Sequence, residues 1–205
     1  MNDKSTTMGN SSPFHLALID IECTCDTPVQ LPRDEIETIE IGGVVVSMTE
    51  ANIEQIDTLQ LFIRPQEHPR LSTFCQQLTG ISQQAVDCGF SFSEACTALN
   101  TWLQKHDVKA WGSWGNFDQR QLTMECERDG LSTPFGNMVH HNIKQLFARK
   151  RKHRVGLGRA LSLTGLTFEG RQHSGKDDAI NIARLLGADP VLCQYLWNRC
   201  KNILK

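Results

Sequence analysis

Between residues 14 and 65 the chain carries three apolar runs of strand length joined by short polar links. This feature constrains the fold more than any other. FHLALIDIE (14–22) is rich in strand formers and ends in two acids. IETIEIGGVVVSM (36–48) alternates and then turns continuously apolar, as a buried strand does. TLQLFIRP (58–65) alternates again and stops at Pro65. Successive strands with links this short pair antiparallel, because a parallel return needs a long crossover.

Helical periodicity takes over downstream. LSTFCQQLTG (71–80) has Ser72 to cap it and Gly80 to stop it. The stretch 91–106 puts Ala95, Leu99, Trp102 and Leu103 on one face, behind Ser91 or Ser93 as cap. A short strand at 108–114, with Trp111 in its interior as a core residue, leads into a helix over 117–130 closed by Gly130. MVHHNI (138–143) reads as a last strand followed by a helix. Further helices fall at 156–166, 176–188 and 190–204, the last started by Pro190. The order predicts an α/β domain over 13–205: a mixed central sheet with three antiparallel N-terminal strands, flanked by helices. Residues 1–12 read as a flexible polar leader.

Composition excludes several classes. No apolar run approaches the roughly 20 residues of a membrane-spanning helix, so no membrane partner is expected. The eight cysteines are dispersed, and Cys23-Thr24-Cys25 has no second Cys/His pair at finger-like spacing. Reduced thiols in a cytoplasmic protein are expected rather than zinc or a disulfide framework. Net charge is −2, yet RKRKHR at 149–154 gathers five cationic side chains on an otherwise acidic body. Such a run suits a phosphate-backbone partner, or equally a solvated loop.

The acids carry more chemistry. Asp20 and Glu22 stand two apart near a strand's end, so both project to one face. An acid in an apolar strand must be hydrated, paired or bound to a metal. Asp118 stands where a helix begins, a place the helix dipole favours for any acid. In QHSGKDDAINIARLL (172–186), Asp178 lies one turn ahead of Ile182 on the stripe that must face the sheet. Asp177 is rotated by about 100° and reads as a solvated first-turn acid. His173 sits on a loop bordered by Gly170 and Gly175, where a base can swing towards a substrate. Four clustered carboxylates need cations, and hard oxygen donors select Mg²⁺ or Mn²⁺ over zinc. Two ions about 4 Å apart would clamp the attacking and leaving oxygens of a phosphodiester.

In order and spacing, Asp20-x-Glu22, Asp118 and His173-x₄-Asp178 resemble the DEDDh group of 3′–5′ exonucleases, which have an RNase H-like fold. DIECTC, EIETIEIGGVVV, LSTFCQQLTGI, GSWGNFDQRQL and HSGKDDAINIARLL resemble its Eri-type branch, the RNA-interference and histone-mRNA exonucleases and their bacterial single-domain relatives. The likeness runs from about residue 13 to 187. It departs at Cys23, where the branch has alanine, and some members space the tryptophan and the second-motif aspartate differently from Trp114 and Asp118.

The resemblance implies that Asp20, Glu22, Asp118 and Asp178 hold two Mg²⁺ ions, with Mn²⁺ able to substitute, and that His173 is the general base. It implies stepwise release of 5′-mononucleotides from single-stranded nucleic-acid 3′ ends, RNA favoured and DNA the runner-up. A nucleic-acid-binding protein without turnover and a phosphoesterase for small nucleotides are the rivals. Thr24, Leu78, Thr79 and Gly80 match positions lining the terminal nucleotide's pocket. Phe92 and Trp114 are read as either base-stacking or core residues. Lys144 and the basic run, including Arg149 and Lys150, are expected on phosphates, with Arg171 and Lys176 as further candidates.

Overall fold

The computed structural model describes residues 13–26, 30–50, 52–152, 154–201 and 203; the expected leader, 1–12, lies outside them. β1 (Phe14–Cys23), β2 (Thr38–Met48) and β3 (Ile53–Phe62) form the antiparallel meander. β4 (Ala110–Ser113) joins β1 in parallel, and β5 (Val139–Asn142) joins β4. The sheet order is β3-β2-β1-β4-β5, a mixed sheet as the strand runs predict.

Parity along β1 divides the core. Phe14, Leu16 and Leu18 face one side and pack with Val44 and Val46 of β2. Over them lie α5 (Ile143–Arg151), α6 (Leu157–Leu163), α7 (Gly175–Ala188) and α8 (Pro190–Cys200). Ala17, Ile19 and Ile21 face the other side, under α3 (Phe92–Lys105) and α4 (Phe117–Arg128). Leu16, Leu18, Ile19, Leu99 and Ile182 are fully buried, each contributing roughly 1.5–3 kcal/mol. Both faces of β1 and β2 are covered, which explains their near-continuous apolar sequence.

The helix ends follow the predicted chemistry. Ser72 caps α1 (Thr73–Thr79) by accepting from the Cys75 amide at 3.0 Å, and Gly80 closes it at φ 76°. Ser91 and Glu94 form a reciprocal capping box on α3. Pro190 opens α8 behind Asp189. Two elements differ from expectation. α2 (Gln83–Asp87) is a single turn burying only Val86, too short to register as periodicity. β3 starts at Ile53 and ends at Phe62 instead of spanning 58–65, because it is a largely exposed edge strand. A bulge where Val45 and Val46 face Asp57 and Gln55 leaves Ile56 43 % exposed and breaks the alternation.

One backbone contact fixes the site. A Cβ on Gly42 of β2 would run into the backbone of Gly175 and Lys176, and one on Gly175 would stand 2.8 Å from the Asp20 carbonyl oxygen. α7 therefore begins directly on the β1–β2 pair. Gly175, expected as the border of the His173 loop, is the buried first residue of a helix pressed onto the sheet.

Candidate active site

Asp20 and Glu22 continue the β1 parity of Leu16 and Leu18, so they project to the face that α7 covers. Asp178, in the first turn of α7, comes down over them. Carboxylate oxygens of Asp20, Glu22 and Asp178 lie within 4.8 Å of one another. Asp177 turns away, as its helical phase predicts, but it is not merely solvated: it accepts from the Arg171 amide at 2.8 Å and holds the 170–171 turn.

Asp118 reaches the cluster from the opposite helical layer. β1 runs past the last residue it pairs with on β4, leaving the Ile21 amide without a strand partner there. Asp118, buried in the first turn of α4, accepts that N–H at 3.2 Å through Oδ1. An ordinary dipole-favoured helix acid would be exposed, and this one is not.

Burial raises all four carboxyls, and repulsion from neighbouring acids adds to it for Asp20, Glu22 and Asp178. Asp20 is held well above the usual carboxylate range, by burial first and then by Asp118, Asp178, Glu22 and Glu40. Burial, then Asp178, Glu40 and Asp118, push Glu22 up to about 8. Asp178 rises to about 7, again mainly through burial and against the amide of His173. Burial also raises Asp118, opposed by the amide of Ile21 and the hydroxyl of Ser113. Among the described residues, none of the four forms an ion pair with a cationic side chain. Clustered hard oxygen donors with suppressed ionisation and no cationic partner fit divalent cations.

His173 stands at the open side of this cluster. It is exposed, adopts φ 62°, and donates its amide to Asp178 Oδ2 at 2.8 Å. Left-handed backbone is uncommon outside glycine and costs energy that a functional position can retain. With Asp178 and Gln172 it lines an open groove of about 610 Å³.

Glu40 was not among the sequence candidates, yet it belongs here. It pairs across from Glu22 in the β1–β2 register, is buried, and accepts from the Lys176 amide at 3.2 Å. It thereby ties β2 to the first turn of α7. An acid inside an apolar strand was the available signal. Glu37 and Glu125 are structural counterparts. Glu37 accepts the amides of Gln66, Glu67 and His68, and Glu125 joins α4 to Thr38 of β2.

Several expected substrate contacts have other tasks. Phe92 is 7 % exposed in the α3–sheet core and offers no face for a base. Trp114 packs edge-on to Phe147, centroids 5.7 Å apart, against the other core. Thr24 is buried, and its hydroxyl accepts the Glu37 amide at 2.9 Å. Thr79 is buried too, donating to the Cys75 carbonyl and accepting from Ile81. Leu78 is half-buried and Gly80 exposed; Thr79 and Gly80 line a groove with Glu40 and Asp177, beside the carboxylates. Arg171 donates to the carbonyls of Gln77 and Leu78, so its guanidinium closes the end of α1.

The basic run divides. Arg149 is exposed and Lys144 half-buried. Arg151 turns inward, donating to Asp189 at 2.8 Å and lying 3.9 Å over the Phe147 ring. The Lys150 side chain and His153 lie outside the described residues. All eight cysteines are free, and Cys25 and Cys75 line one small cavity.

A mixed β-sheet sandwiched by helices, with four acids and a histidine converging at the end of its central strand, is the arrangement of a metal-dependent nuclease. The family model described as "Exonuclease" matches residues 17–186. ERI1 exoribonuclease 2 of Xenopus laevis is 32 % identical over 87 % of this chain and 28 % of its own length. The 3′-5′ exonuclease Snipper of Drosophila melanogaster is 31 % identical over 89 % of this chain and 72 % of its own. The solved nuclease domain of 3′hExo, a DEDDh family member bound to rAMP, superposes with a TM-score of 0.78 at 27 % identity, covering 93 % of this chain and 96 % of that one. The chain belongs to the DEDDh exonuclease family, in its Eri-type branch. It spans between about a quarter and three quarters of the length of these curated relatives. Among the described residues, no helix is long and apolar enough to cross a membrane.

Proposed function

We propose that this chain is a 3′–5′ exonuclease that removes 5′-mononucleotides from single-stranded 3′ ends, with RNA preferred over DNA and Mg²⁺ as the working metal. One observation carries the reading: Asp20, Glu22 and Asp178 bring oxygens within 4.8 Å of one another, and among the described residues none of them pairs with a cation. Asp20, Glu22, Asp178 and Asp118 would hold two ions. Such ions would neutralise the acids and supply Lewis-acid polarisation of the phosphate oxygens.

The chain's own groups do the rest. His173 accepts the proton of the attacking water, from an exposed position anchored to Asp178 by its amide. Glu40 and the Gly42–Gly175 contact hold the start of α7 so that Asp178 keeps its place over Asp20 and Glu22. The RNA preference is supported by relatives named exoribonucleases and by a neighbour solved with rAMP.

The test uses 5′-labelled RNA and DNA oligomers with Mg²⁺, Mn²⁺ or EDTA. Stepwise shortening from the 3′ end is expected, faster on RNA, lost in EDTA and lost in Asp20→Asn. Metal-independent cleavage, or mononucleotides released from the 5′ end, refutes the proposal; faster shortening of DNA refutes the RNA preference.

A further inference from the structure

A further cavity, of about 410 Å³, lies on another flank of α4. Its walls include Arg33, Arg120, Lys144 and Arg154, and no acid lines it. Among the described residues none of the four cations forms an ion pair. In a chain of net charge −2, converging four uncompensated positive charges on one hollow costs energy that a polyanion would recover. Phe117, at the start of α4, also lines the cavity and is 47 % exposed. Cations together with an accessible aromatic face make up the pattern that grips single-stranded nucleic acid, phosphates on the charges and a base on the ring.

The cavity's position relates it to the carboxylates. Phe117, Arg120 and Met124 lie on one flank of α4, whereas Asp118, Leu122 and Glu125 face the sheet, about 130° round the helix. Both sites therefore share the first turn of α4, roughly one helix diameter apart, about 10–12 Å. A stacked strand advances about 3.4 Å per nucleotide, so the gap corresponds to about three nucleotides.

We infer that this cavity is an upstream subsite, in which Arg33, Arg120, Lys144 and Arg154 hold the phosphates of the strand about three nucleotides before its 3′ end and Phe117 stacks a base. The inference rests on the proposed exonuclease reading and adds a length dependence to it. Strands long enough to reach the cavity are retained; a dinucleotide is not.

Two measurements on Arg120→Ala/Lys144→Ala test it and keep the two proposals separable. In EDTA, binding of a labelled ten-nucleotide single-stranded RNA is followed by anisotropy across a salt series. The double variant is expected to bind at least tenfold more weakly, with a log–log salt slope shallower by about 1.4, the value for two lost contacts at about 0.7 each. This arm needs no turnover, so it stands even if hydrolysis is not observed. With metal, the ratio of kcat/KM for the ten-mer to that for a dinucleotide is expected to fall at least tenfold, mainly through KM on the ten-mer. Arg120→Lys/Lys144→Arg, which keeps both charges, should recover most of both effects and excludes misfolding as the cause. An unchanged salt slope overturns the subsite. So does an equal loss on both lengths, which would put these residues at the scissile nucleotide. Competition by inorganic phosphate or a mononucleotide as effective as that by the ten-mer overturns it too.

Discussion

Replacing Glu22 by Gln should abolish activity and yet strengthen the metal-free fold. Four other carboxyls surround Glu22, those of Asp20, Asp118, Asp178 and Glu40, and its ionisation midpoint stands at about 8 instead of 4.5. Above pH 8 that displacement corresponds to about 5 kcal/mol of destabilisation when the group is forced to ionise. Its neighbours take up protons as charge accumulates, so the share removed with Glu22 is smaller, about 2–3 kcal/mol. The sign follows from linkage. Below about pH 4.5 folded and unfolded chains both hold the proton, and the carboxyl costs nothing. Between 4.5 and about 8 only the folded chain keeps it, so stability falls as pH rises and the full cost is present above 8. Thermal unfolding in EDTA should therefore show Glu22→Gln close to wild type at pH 4.5. At pH 8.5 it should melt higher by about 5–10 °C, at about 2–4 °C per kcal/mol for a chain this size. Saturating Mg²⁺ should narrow or reverse the gap by stabilising the wild type. A variant no more stable than wild type at pH 8.5 in EDTA would refute the reasoning that repulsion and desolvation are stored here.

His173→Ala is expected to lower turnover by about 10²–10⁴ with little change in KM, the range for losing a general base; single-turnover rates at saturating substrate check it. Gly42→Ala forces a methyl into the backbone of Gly175 and Lys176, so a loss of about 1–3 kcal/mol in urea unfolding and a large fall in activity are expected. Arg151→Ala removes the ion pair to Asp189 and the contact over Phe147, and should cost about 1–3 kcal/mol of stability while leaving RNA affinity within about twofold, read by urea unfolding and anisotropy.

What was legible in the sequence was what local periodicity controls. Strand parity put Asp20 and Glu22 on one face, and helical phase separated Asp178 from Asp177, because a strand repeats every two residues and a helix every 3.6. The meander followed from apolar runs with short links. What escaped depends on partners distant in the chain. Phe92 has the sequence of a base-stacking residue or a core residue, and only the packing of α3 on the sheet decides between them. Arg151 sits in a cationic run, but Asp189, 38 residues away, turns it inward. Gly175 looks like the border of a loop until Gly42, on strand β2, comes up against it. Glu40 acquires its role through cross-strand register with Glu22, which the linear order does not display. The ends of the edge strand β3 are not legible in the sequence, because half-exposed strands carry little apolar alternation.

The meeting of Gly42 with Gly175 bears on how such a chain tolerates divergence. Where a helix rests on a sheet through side chains, each exchange of one aliphatic residue for another shifts the two by a fraction of an ångström, and such drifts accumulate over generations. Here the separation is gauged by main chain against main chain, whose dimensions do not vary with sequence. The hydrophobic interior can wander while the spacing of the acids stays constant, provided neither glycine gains a carbon.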